Sequence, residues 1–401
     1  MLLKGNLLIG QSGGPTPVIN VSLAGVLDEA KKMPEIGRIY GMKQGIEGAL
    51  KGDLYDLTDE PDDLVDKLMY TPASVLGSCR HQLTKDKEYE TLLLRLFADY
   101  DIRYFVYIGG NDSMDTCHKI SSLTREKGYD MRAIGVPKTV DNDLPETDHC
   151  PGYGSAARFV ALATVESGRD LESMQTFEDV AIFEIMGRHT GWLVGSSALG
   201  KRCEADAPHL IYMPERIFDE EKFLKDVKAV HDRLGYVYVA LSEGVRYTDG
   251  EFIGAKDARV DAFGHTAISF GTGPGVYLCN LLAARLGLKA RCNRPGTIQR
   301  SMTSVASSSD VREAFMVGQK AVQFFAEGIS DVMVTLDRSG GRGYECTAGQ
   351  VPLERVANVE KFLPENFINR EGNFVTQEFI DYCMPLIGDP IPDYARIGQG
   401  R

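Results

Sequence analysis

The sequence predicts an α/β protein with two Rossmann-like lobes, built on mainly parallel sheets covered by helices. Three observations predict it. Apolar runs of strand length recur along the 401 residues, as at 104–108, 132–136 and 236–241. Longer segments with an apolar stripe at helical spacing lie between them. Several runs end in polar loops marked by glycine or proline: Ile108-Gly-Gly-Asn-Asp-Ser-Met-Asp115 and Val136-Pro-Lys-Thr-Val-Asp-Asn-Asp-Leu144. Strands alternating with helices argue for parallel sheets with helices on both faces. In open sheets of that kind ligands bind at the carboxyl ends of the strands.

Taken in order, a first strand over 6–10 leads into a helix over 18–33. A helix over 112–127 separates the two motif strands, and a long helix runs over about 155–174. Strands follow at 180–186 and 210–213, then a helix over 220–234 and a strand over 236–241. Segments 276–286, 310–326 and the strand 331–336 continue the alternation. From about residue 355 the chain is richer in Pro, Asn and acids, and reads as a helical or irregular extension. No internal repeat, low-complexity tract or linker marks a boundary.

Composition narrows the function. A hydrophobic content of 43% supports a sizeable core. A net charge of −13 without a basic block argues against nucleic acid and anionic membrane as partners. The cysteines at 79, 117, 150, 203, 279, 292, 346 and 383 form no Cys-x-x-Cys pair, which suits reduced thiols in a cytoplasmic protein. Neither a signal peptide nor an apolar run of membrane-spanning length is present in the sequence as read.

The two motif loops bring together Asp112, Asp141, Asp143 and Lys138 with backbone N–H groups. Acids hold Mg²⁺, while lysine and N–H groups hold phosphate. That combination points to phosphoryl transfer. The turn Gly10-Gln-Ser-Gly-Gly-Pro-Thr-Pro-Val-Ile-Asn20 lets N–H groups approach a phosphate at a helix start, or is an ordinary tight βα turn. It matches neither the dinucleotide nor the Walker pattern. Glu243, ending the apolar strand Ala240-Leu-Ser-Glu-Gly244, needs a partner because an unpaired buried carboxylate is costly. A ligand hydroxyl or a salt bridge would serve.

These loops resemble those of the phosphofructokinase family. Asp112 and Lys138 are similar to its pyrophosphate-dependent branch, where ATP users have glycine at both positions. An Asp side chain fills the space an α-phosphate needs, and a lysine neutralises a small donor that brings no nucleoside. The resemblance implies a site in a cleft between two lobes: residues 1–153 plus about 301–350 for the donor and Mg²⁺, 154–300 for the sugar phosphate, and 351–401 as a C-terminal extension. It implies reversible transfer from pyrophosphate to the 1-hydroxyl of fructose 6-phosphate, in glycolysis or gluconeogenesis. An ATP-dependent kinase of the same fold and a silent sugar-phosphate-binding regulatory subunit are the alternatives.

Roles carry over position by position. Asp141 is the implied general base. Gly13, Gly14, Lys138 and the Arg80 of Leu76-Gly-Ser-Cys-Arg80 take the donor. Thr139, Val140, Asp141, Met186, Gly187, Arg188, Glu243, Arg291, Thr297 and Arg300 take the sugar phosphate, with Arg188 also on the transferring group. Asn111, Asp112 and Asp143 form the metal set. Three departures stand out. Asn111 replaces an Asp of relatives and removes one negative charge from the metal set. Asp179 stands where some relatives carry an intersubunit Arg. Ala24 and Asp28 replace effector-binding arginines, so no phosphate effector site is expected. Sites shared between subunits imply a homodimer or homotetramer.

Overall fold

The computed structural model describes residues 2–61, 63–84, 86–254, 259–260, 266–267, 273–339 and 343–397. The chain divides into two compact units, Met1–Ala156 with Thr297–Phe362, and Ala157–Gly296 with Leu363–Arg401. The C-terminal extension expected over 351–401 is thus split between the units at position 362.

Along the chain come β1 (Gly5–Gln11), α1 (Ile19–Ala30), β2 (Ile36–Met42), α2 (Ile46–Lys51), β3 (Leu54–Asp56), α3 (Leu64–Leu68), α4 (Lys87–Asp99), β4 (Ile102–Gly109), α5 (Asn111–Glu126) and β5 (Arg132–Pro137). The helix α6 (Tyr153–Ser173) carries the chain into the second unit. There follow β6 (Val180–Ile185), α7 (Trp192–Gly195), β7 (Leu210–Tyr212), α8 (Glu220–Leu234), β8 (Val237–Ser242), β9 (Arg259–Val260), β10 (Thr266–Ala267), α9 (Gly273–Leu286) and β11 (Ala290–Asn293). The first unit is completed by α10 (Ser308–Glu327), β12 (Val332–Arg338) and β13 (Cys346–Pro352), and α11 (Gln377–Cys383) belongs to the second.

Among the described residues the first unit holds a sheet in the order β13-β12-β5-β4-β1-β2-β3. Its inner strands are parallel, and β3 and β13 are antiparallel edges. Strand β4 is buried at every position except Arg103, as expected of a parallel strand covered on both faces. One face packs through Leu7, Ile9, Val106 and Val334 against Leu23 and Leu27 of α1 and Val317 and Phe325 of α10. The other packs through Leu8, Phe105 and Tyr107 against Phe97 of α4 and Met114, Cys117 and Ile120 of α5. In the second unit β11, β6, β8 and β7 pair in that order, all parallel, and α8 packs Phe223, Leu224 and Val227 on Val180, Ile182, Val237 and Val239.

Local signals place the helices. Asp86 caps α4 by accepting from the Glu88 N–H, and Asp219 caps α8 by accepting from Lys222. Gly235 and Gly328 close α8 and α10 in the left-handed conformation. The start of α6 is capped from a distance. Asp310, 1% exposed, accepts from the Gly152 and Ser155 N–H groups at 2.8 and 2.9 Å. Burial pushes its carboxyl up to about 6.

The sequence expectations for strands and helices hold within a few residues, from the first strand, observed as Gly5–Gln11, to the helix over 220–234. Left unread were the elements between 34 and 100 and both antiparallel edges. The edge strand β13, Cys-Thr-Ala-Gly-Gln-Val-Pro, is largely open on its outer side and lacks a clean apolar alternation. No helix among the described residues is long and apolar enough to cross a membrane. All the cysteines are free thiols.

Candidate active site

The strand order of the first unit reverses between β1 and β4, since β2 follows on one side of β1 and β5 on the far side of β4. A crevice opens at such a switch point, beyond the carboxyl ends. The loops that leave there are Ser12–Val18 after β1 and Gly110 before α5. Both are among the stretches that the sequence marks.

Lys138 sits at the centre of this region. It is 3% exposed, its backbone N–H donates to Gly109, and its Nζ donates to the Gly14 carbonyl at 2.7 Å. Burial pushes its ammonium down to about 8. Arg300 and Arg80 push in the same direction, and Asp143 and Asp141 oppose them. Three cations and two carboxylates therefore lie within electrostatic reach of one turn. The glycines make room: a Cβ on Gly14 would lie 2.5 Å from Arg300 Nη1, and one on Gly13 would lie 3.2 Å from Lys138 Nζ. Gly13 also has φ +75°, which L side chains rarely adopt.

The surrounding loop is held by its own hydrogen bonds. Thr139 Oγ1 accepts from the Asp141 N–H at 3.0 Å, and the Thr139 N–H donates to Pro151. Asn142, at φ +55°, accepts from the Cys150 N–H, and Val140 is buried. Burial holds the Asp143 carboxyl above its usual range. Asn111 and Asp112 form the first turn of α5, with Asn111 Oδ1 accepting from the Asp112 N–H at 2.9 Å. Together with Asp143 they offer only oxygen donors, which suits Mg²⁺.

Arg80 is carried by a loop bound to the glycine turn. Ser78 Oγ donates to the Gly13 carbonyl at 2.6 Å, and the Gly13 N–H donates to Cys79. Beneath them Gln11 and Asn20, both fully buried, form a clamp. Gln11 Oε1 accepts from Leu76 N–H and Ser74 Oγ, while Asn20 Nδ2 donates to the Thr71 and Ala73 carbonyls and Asn20 Oδ1 accepts from Val75 N–H and Gln11 Nε2.

In the second unit two adjacent strand ends are tied together. Ser242 Oγ donates to the Gly187 carbonyl at 2.5 Å and the Glu243 N–H donates to Ile185. Met186, Gly187 and Arg188 follow β6, and Glu243 and Gly244 follow β8. A Cβ on Gly244 would lie 1.9 Å from the Arg188 carbonyl oxygen, so only glycine lets the two loops meet. Arg188 and Glu243 are both half-buried there.

The remaining expected residues divide. Arg291, on β11, pairs with Asp170 and with Glu178 at 2.9 Å. Asp179 accepts from the Lys289 N–H at 2.7 Å and serves β11. Thr297 is exposed on a short 3-10 turn that also carries Arg300. Arg300, which the resemblance assigns to the sugar phosphate, has Gly14 and Lys138 as its neighbours in the first unit. Two features of the sites were not read from the sequence. One is the Gln11–Asn20 clamp. The other is Glu184, 7% exposed within β6, which accepts from Arg294 and from the Gly275 N–H, both at 2.9 Å. A carboxylate inside the apolar run Val-Ala-Ile-Phe-Glu-Ile was a signal for a cation partner, by the argument that singled out Glu243.

The family profile "Phosphofructokinase" matches residues 6–325. The pyrophosphate–fructose 6-phosphate 1-phosphotransferase of Halomonas elongata is 41% identical over 97% of this chain and 93% of its own. The sulfofructose kinase of Alkalicoccus urumqiensis is 34% identical over 90% and 91%. The crystal structure of pyrophosphate-dependent phosphofructokinase from Nitrosospira multiformis superposes with a TM-score of 0.88 at 39% identity, covering 99% of this chain and 95% of that one. The chain belongs to the phosphofructokinase family.

Proposed function

We propose that this protein moves a phosphoryl group from pyrophosphate to the 1-hydroxyl of D-fructose 6-phosphate, giving fructose 1,6-bisphosphate and phosphate, reversibly. The observation that carries the donor assignment is Lys138 buried against Gly14, with Arg80 and Arg300 near it. This concentrates positive charge suited to a small anion, and an Asp at the start of α5, where ATP users have glycine, would crowd a nucleoside α-phosphate.

Asp141 takes the proton of the 1-hydroxyl as that oxygen attacks the terminal phosphorus. The bridging P–O bond of pyrophosphate breaks and phosphate leaves. Lys138 and Arg80 neutralise the phosphoryl oxygens, joined by Arg300, which the resemblance gave to the sugar phosphate but which neighbours Gly14 and Lys138, and Thr139 and Asp143 hold the loop. Arg188 presents a planar fork to a phosphate group, Met186 and Gly187 line the sugar, and Glu243 accepts from its hydroxyls. Arg291 and Thr297 are assigned to the sugar phosphate. Asn111, Asp112 and Asp143 would hold Mg²⁺, which when bound offsets charge on the phosphates. By the same reading it works in the cytoplasm as a homo-oligomer without a phosphate effector site.

A second acceptor, a sulfofructose, is favoured by the 34% identity to a sulfofructose kinase. Initial rates with Mg²⁺ separate these readings. The expected result is strong turnover of fructose 6-phosphate with pyrophosphate and little with ATP. Turnover with ATP alone overturns the donor assignment. Preference for the sulfofructose overturns the acceptor. Silence with every pair points to a binding role.

A further inference from the structure

Three ligand-type side chains from distant parts of the first unit converge away from the loop residues already described. His149 is 1% exposed and Glu313, on α10, is 5% exposed. Cys346, half-buried, opens β13. One nitrogen, one carboxylate oxygen and one sulfur from these residues lie within 4.8 Å of one another. We propose that His149, Glu313 and Cys346 bind a divalent transition-metal ion of the zinc class.

The donor set points to that class. Nitrogen, sulfur and a single carboxylate suit zinc or cobalt, whereas Mg²⁺ prefers oxygen alone. The outer shell is also in place. His149 Nε2 faces Glu313 Oε2 at 2.7 Å, while its Nδ1 faces Asp148 Oδ2 at 2.8 Å. A carboxylate on the far ring nitrogen is the usual support of a metal-bound histidine. Asp148 is in turn held by Arg338 Nε and Nη2 at 3.1 and 3.0 Å. Tyr344 Oη donates to Glu313 Oε1 at 2.5 Å and lies 3.3 Å from His149 Nε2, within reach of a fourth position.

A metal ion would take the place of the protons on the ligating His149 nitrogen and the Cys346 sulfur. The site would staple α10 and β13 to residues 148–149. Lys361 fixes the same segment, donating from Nζ to the Thr147 and Asp148 carbonyls and from its backbone N–H to Asp143.

The test uses the whole 401-residue chain, stripped with chelator and titrated with cobalt(II) in excess Mg²⁺. One equivalent should produce thiolate-to-cobalt charge-transfer absorption that zinc then removes. Cys346→Ser should abolish that band while keeping the circular dichroism of the parent. Asp148→Asn should weaken cobalt affinity by roughly 10–100-fold. Zinc should raise the unfolding temperature of the parent and not that of Cys346→Ser. Absence of the band in the folded parent overturns the proposal, as does a band that persists in Cys346→Ser.

Discussion

At the residue scale, Lys138 carries the donor proposal. Its ammonium is pushed down to about 8, by burial first and by Arg300 and Arg80 next. The free enzyme therefore loses this charge as pH rises through about 8, and an anionic donor binds the charged form. The pH profile of kcat/KM for pyrophosphate, which reports groups of the free enzyme, should fall above that point. Lys138→Arg should move the fall upward, because a guanidinium keeps its proton, and Lys138→Met should lower kcat/KM by roughly 10²–10³-fold. A limb unchanged in Lys138→Arg would assign it to another group. Gly14→Ala tests the neighbouring contact. Its Cβ would meet the flexible end of Arg300 at 2.5 Å, so stability should change little while kcat/KM for pyrophosphate drops. Gly13→Ala should differ by also costing about 1–2 kcal/mol, since its φ is +75°. Unfolding curves and initial rates measured on the same samples distinguish the two.

At the element scale, strand ends carry the candidate site residues and buried polar side chains hold the strand ends. The loops after β1, β4, β5, β6 and β8 were legible in the sequence because each is contiguous and follows an apolar run. What holds them was not legible. Asn20 reaches Thr71, Ala73 and Val75, and Asp310 reaches Gly152 and Ser155. Those partners are 51 to 158 positions away in the sequence. A polar residue on a helix carries no mark of a partner that far off. Arg300 shows the same limit: its motif was recognisable, but its proximity to Gly14 arises only once the chain has returned to the first unit. Asn20→Ala strands two carbonyls and an N–H, and should cost about 2–3 kcal/mol in urea unfolding. It should also raise KM for pyrophosphate by loosening the Arg80 loop. A stability loss without any change in KM would make the clamp purely structural.

At the scale of the whole molecule, the chain passes between its two units three times, after positions 156, 296 and 362. The pieces of the two units are thus interleaved in sequence, which is why no linker marked the boundary. The proposed homo-oligomer is open to sedimentation velocity at assay concentration, where a dimer or tetramer is expected. A fully active monomer would remove the argument for a shared site and for Arg291 acting across it. The claim that joins all three scales is direct transfer from pyrophosphate to the sugar. Phosphorus NMR on one sample of protein, Mg²⁺, fructose 6-phosphate and pyrophosphate tests it without coupling enzymes. A new 1-phosphate resonance should grow in step with inorganic phosphate, and the change should reverse when excess phosphate is added. Pyrophosphate that stays intact, or falls to phosphate with no sugar bisphosphate formed, would contradict it.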